Sequence, residues 1–266
     1  MRKAMLFALP AMVGTTLSAT RVTAQVTRPR PPVASPVPTP RPPRVVATTA
    51  EDTLTSQFDV EGIPVILRRV TANNVVAANL YLLGGTRQLT PATQGVEMLL
   101  LEASERGTKK YPRDLLRAKM ARLGSAIGVS PGADWTTIGL RATTTGFDST
   151  WAILADRLAA PTLAPADVEL VREQFHTAVK QRKDSPDALL DYLADSIALA
   201  GHPYALEPVG TEESLTKLTT ADVKAYQASQ IVSSRMMLVV VGNVSRGKIE
   251  RLVRETLGRL PLDLAA

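Results

Sequence analysis

Eight of the chain's 19 prolines fall within residues 28–44, and that run limits what the chain can fold into more than any other feature. Proline lacks an amide donor and has a fixed φ, so such a run can neither coil into a helix nor take a ladder position in a sheet. An extended, polyproline-like spacer is expected over residues 25–50, with all regular structure after it. Residues 1–24 ahead of it read as a signal peptide. Arg2 and Lys3 give a positive start, residues 4–17 are mostly apolar, and Val22-Thr23-Ala24 offers a cleavage site. The apolar stretch is shorter than the roughly 20 residues that span a bilayer. The expectation is an exported protein, periplasmic or secreted, with no stable membrane span once the signal is cut.

The charge balance follows the same division. The formal net charge of +6 comes from residues 1–50, which hold seven of the 31 Lys and Arg and no Asp or Glu. The other 216 residues carry 24 basic against 25 acidic groups, so no nucleic-acid partner is expected of them. Cysteine is absent, which excludes disulfide scaffolds, thiolate zinc sites and cysteine nucleophiles. With only two histidines, His176 and His202, a three-histidine metal site cannot be built from one chain. Neither a Gly-x-Ser-x-Gly elbow nor a phosphate-cradling glycine loop is present.

Residues 51–266 read as one α+β domain, roughly 210 residues being enough to bury a core. A strand pair turning near Gly62 is expected over 58–67, and a β-rich run over 75–83 closes on Gly84-Gly85. Thr90-Pro91 has the form of a helix start leading into residues 95–106, and a second helix over 113–123 stops at Gly124. Strands follow at 126–129 and 135–143. Helices are expected at 148–158, 166–183, 187–200 and 221–230, then an apolar strand at 236–241 and a closing helix over 247–257.

Several stretches, in this order, resemble the insulinase/pitrilysin-type zinc metallopeptidases, whose metal motif is His-x-x-Glu-His. They are Gly84-Gly85-Thr86-Arg87, Gly95, and Gly107-Thr108-Lys109-Lys110-Tyr111-Pro112, then Asp184-Ser185-Pro186. Gly201-His202-Pro203-Tyr204 and Gly210-Thr211-Glu212-Glu213-Ser214 with Leu218-Thr219 are the most specific, and Val239-Val240-Val241-Gly242-Asn243-Val244 closes the set. The resemblance covers about residues 54–260. It implies a single half-repeat of that peptidase fold, the N-terminal half, with a mainly antiparallel sheet and helices packed on it.

The resemblance also shows what is missing. In active relatives two histidines four apart on one helical face bind zinc, and the glutamate between them polarises water. Counted from Gly95, those positions are here Met98, Leu101 and Glu102, and the third ligand position falls on Thr177 or Ala178. The motif is degenerate, so no catalytic residue, metal ligand or cofactor is expected, although zinc serves the active relatives. Met98 and Leu101 are expected to fill the former metal pocket, with Glu102 turned to solvent or to a basic neighbour. His202 reads as a loop-packing residue. The resemblance implies a zinc-less partner or chamber wall for an active subunit or second half-repeat, in contact with peptide substrates. Two alternatives stay open. One is an active metalloendopeptidase with an atypical site at Glu102, Glu173 and His176; the other is a stand-alone peptide-binding scaffold.

Overall fold

The structure, a computed structural model, describes residues 54–262. The signal peptide and spacer expected over 1–50 lie outside the described residues. Six strands form one sheet: β1 (Thr55–Val60), β2 (Ile63–Arg69), β3 (Val75–Leu83), β4 (Ala126–Ser130), β5 (Trp135–Thr143) and β6 (Met236–Gly242). Their order across the sheet is β1-β2-β6-β3-β5-β4. Every neighbouring pair is antiparallel except β2 and β6, which run parallel. The last strand in sequence therefore sits inside the sheet, paired on both edges.

Among the described residues eight α-helices accompany the sheet: α1 (Val96–Ala103), α2 (Arg113–Leu123), α3 (Phe147–Ala159), α4 (Pro165–Gln181), α5 (Pro186–Ala198), α6 (Glu212–Lys217), α7 (Thr220–Gln230) and α8 (Arg246–Glu255). The core lies between them and one face of the sheet. Val76, Ala78, Leu80 and Leu82 of β3 alternate inward beside Ile138, Leu140 and Ala142 of β5 and Met236, Leu238 and Val240 of β6. Trp151 and Phe147 of α3 are fully buried in the same core.

The opposite face of the sheet is bare among the described residues. Val75 and Leu83 of β3, Trp135 of β5, and Met237 and Val241 of β6 are all at least one-third exposed. The registers Tyr81↔Met237, Ala77↔Val241 and Leu83↔Trp135 put them on one side. A strand covered on one face only normally alternates apolar with polar residues. β6 instead reads Met-Met-Leu-Val-Val-Val, apolar on both faces.

Two departures from the sequence reading have local causes. Thr90-Pro91 does not start α1. Residues 90–95 form a separate turn in which the Thr90 carbonyl accepts from the amides of Thr93 and Gln94 at 3.0 and 2.9 Å. Gly95 then takes φ 94°, a left-handed conformation that no helix continues through, so α1 begins at Val96. The helix α6 was not anticipated either; a reciprocal capping box between Thr211 and Ser214 holds it.

Candidate functional site

The site to be tested is α1 and what surrounds it. Its entry is fixed by a close approach of two glycines. A side chain at Gly95 would stand 2.9 Å from the Val209 carbonyl, and one at Gly210, also at positive φ, would stand 3.0 Å from the Gln94 carbonyl. Gln94 ties the two segments further, its Oε1 accepting from the Glu207 amide at 3.0 Å. The Gly210-Thr211-Glu212 segment is thereby docked against the start of α1, some 110 residues away in sequence.

Along α1 every residue from Val96 to Leu101 is buried, with Leu99, Leu100 and Leu101 at 2 % exposure or less and Met98 at 8 %. The two apolar side chains counted from Gly95 to the expected motif positions are thus buried. Glu102 is half-buried: burial pushes its carboxyl above the ordinary range, Glu105 adds to this, and Arg157 and Arg106 oppose it. Thr177 and Ala178 on α4 are exposed. This donor set does not suit zinc, which requires nitrogen, thiolate or carboxylate ligands closing on one point. Among the described residues no three His, Asp or Glu side chains gather in metal-holding geometry. Glu102, Glu173 and His176 are accordingly not assembled into one site, and Glu173 lies 3.6 Å from Arg172 instead. His202 caps the 3-10 turn Pro203–Ala205, its Nδ1 accepting from the Tyr204 amide at 3.2 Å, with its ring edge-on to Tyr204.

Sequence reasoning missed the buried and half-buried polar residues that the structure gathers around α1. Glu97, only 3 % exposed, accepts from the Thr136 hydroxyl and, at 2.6 Å, from the Tyr226 hydroxyl of α7. Gln88 donates to Tyr226 at 3.0 Å and accepts from Arg235, which also reaches the Leu83 carbonyl at 2.6 Å. Burial, with the Glu97 carboxylate beside it, pushes the Tyr226 hydroxyl well above its ordinary pKa. The one signal in the sequence was a lone acid in the run Val-Glu-Met-Leu-Leu-Leu, whose helical setting leaves no solvated face for it. At the other end of α1, Arg157 of α3 is 6 % exposed. It donates to the Leu101 carbonyl and the Ser104 hydroxyl, each at 3.1 Å, and pairs with Glu105 at 3.1 Å. A cation there complements the negative end of the helix dipole.

Comparison with known proteins places these observations. The family model described as insulinase (peptidase family M16) matches residues 64–212. The β subunit of the mitochondrial-processing peptidase of Blastocladiella emersonii is 23% identical over 201 residues, covering 75% of this chain and 43% of its own. Among solved structures, an inactive domain of a family M16 peptidase from Pseudomonas fluorescens superposes with a TM-score of 0.73 at 20% identity, covering 80% of this chain and 52% of the other. The first half of the periplasmic protease PqqL from Escherichia coli gives 0.71 at 18% identity, covering 83% and 49%. These likenesses show the fold, and the chain spans about half the length of the proteins it matches.

Proposed function

The chain belongs to the insulinase family, peptidase family M16, and on that premise we propose that it is an exported, non-catalytic member that forms one wall of a peptide chamber for an active subunit or second half-repeat. The observation that carries this reading is α1. Its three motif positions hold Met98, Leu101 and Glu102, and the first two are buried, Leu101 within the apolar core, rather than presented to a ligand. Without imidazole donors and with leucine in place of the general base, zinc-activated water has no counterpart among these residues.

The rest of the surface supports a partner. The bare apolar face of the sheet and the stripe Leu190, Leu193 and Ile197 on α5, exposed at 65, 41 and 71 %, are large for a chain that functions alone. The outer edge of β4, which pairs only with β5 in the sheet, is free to accept an extended peptide as an added strand. Export is supported by the signal-like residues 1–24 and by the periplasmic setting of the E. coli protease. No helix among the described residues is long and apolar enough to cross a membrane.

The test is elemental analysis and peptide cleavage on the purified chain, alone and mixed with a family member that retains His-x-x-Glu-His. The chain alone should hold no stoichiometric zinc and leave unfolded peptides intact, and in the mixture it should raise the partner's cleavage. About one zinc per chain together with chelator-sensitive cleavage by the chain alone would overturn the reading.

A further inference from the structure

On the helix side of β4 lies a groove of about 520 Å³ that is unusually rich in arginine. Arg106 enters it from the turn after α1, Arg113 and Arg117 from one face of α2, and Arg157 from α3, over an apolar floor that includes Ile127 at the start of β4. Four guanidiniums here stand out, because residues 51–266 as a whole are close to neutral. Two of them are already matched: Arg157 pairs with Glu105 at 3.1 Å, and Arg113 lies 4.0 Å from Asp167. Arg106 bonds the neutral side chain of Gln174 at 3.1 Å. Arg117 has no hydrogen bond or ion pair among the described residues. Two guanidiniums therefore face the groove without a carboxylate ion pair, on rigid elements, with the buried Arg157 held beneath by three contacts.

We propose that this groove binds a carboxylate of an acidic peptide laid along the free edge of β4. The inference rests on the peptide-contacting role proposed above and gives it a substrate class. Guanidinium suits this ligand because its planar fork matches the two oxygens of a carboxylate, and the apolar floor accepts the methylene stem of a glutamate. The groove begins where β4 begins, so a main chain paired to that edge delivers its side chains or its terminus to the arginines.

The test is fluorescence anisotropy on the purified full chain with ten-residue extended peptides carrying a neutral dye. One series is glutamate-rich, one is neutral, and each is made with a free and an amidated C-terminus. The glutamate-rich peptide should bind about tenfold more tightly than the neutral one, the worth of one charge-assisted contact. The double variant Arg106→Gln/Arg117→Gln should abolish that preference, while Arg122→Gln, a loss of charge on α2 outside the groove, should keep it. If only free C-termini are preferred, the bound group is the terminal carboxylate; if amidation changes nothing, it is the side chain. Equal binding of neutral and acidic peptides overturns the groove but leaves the peptide-contacting role standing. An acidic preference that survives in the double variant also overturns it, and traces the effect to basic residues outside the groove. No binding by any peptide overturns both.

Discussion

At the scale of single residues, the environment of α1 turns on two kinds of burial. Leu101 is 2 % exposed and stands where active relatives carry a carboxylate. Leu101→Glu therefore buries a charge without a partner and should cost several kcal/mol in denaturant unfolding, whereas Leu101→Met should cost less than about 1.5 kcal/mol. A near-neutral Leu101→Glu would mean that the helix faces water after all. Glu97 is the opposite case, a carboxylate that is buried and satisfied. Removing the Tyr226 hydroxyl takes away one of its two side-chain donors, so Tyr226→Phe should destabilise by about 1–3 kcal/mol, the range for a buried polar group that loses its bond. No loss would show that water replaces the hydroxyl at that point.

At the scale of elements, short helices depend on their caps more than on their length. α7 begins with a capping box in which the Asp222 carboxylate accepts from the amide and the hydroxyl of Thr219, at 2.8 and 2.6 Å. These bonds hold the Asp222 carboxyl below its ordinary range, the hydroxyl of Thr219 contributing most. A group whose pKa is lowered by folding stabilises the fold above its unfolded value and ceases to do so as pH falls through the folded one. Asp222→Ala should therefore cost about 1 kcal/mol at pH 7, as other lost caps do, and progressively less below the ordinary aspartate value of 3.8. A cost that does not change with pH, measured by thermal unfolding across that range, would rule out the carboxylate as its source. The Thr211–Ser214 box does the same work for α6 with two neutral side chains, so no such pH dependence is expected there.

At the scale of the molecule, apolar surface is distributed unevenly. Among the described residues one face of the sheet is covered by helices, the other is bare, and α5 has no fully buried residue although its apolar residues recur at helical spacing. Leu190 and Ile197 contribute little to the stability of this chain by itself, because neither is buried. The double variant Leu190→Ser/Ile197→Ser should therefore change unfolding free energy by less than about 0.5 kcal/mol per site, and it should reduce aggregation on heating, followed by light scattering. A large loss of stability would mean that α5 packs its outer face within the chain.

What could be read in advance was whatever is encoded locally. The strand over 75–83 and the helix over 113–123 were anticipated with the boundaries the structure gives them, because alternation, helical spacing and a terminal glycine all act within a few residues. The residues counted to the motif positions, Met98, Leu101 and Glu102, were equally legible, since they depend only on the register from Gly95. The sequence by itself therefore determined most of the elements and the side chains that occupy those three positions. Only the tertiary structure decided that β6 inserts between β2 and β3, far from both in sequence, which sheet face is covered, and that Glu97 is buried against Tyr226. It also decided that arginines from the end of α1, from α2 and from α3 meet in one groove. Each of these depends on contacts between distant segments, where burial and pairing override local preference, and no periodicity within a single element records them.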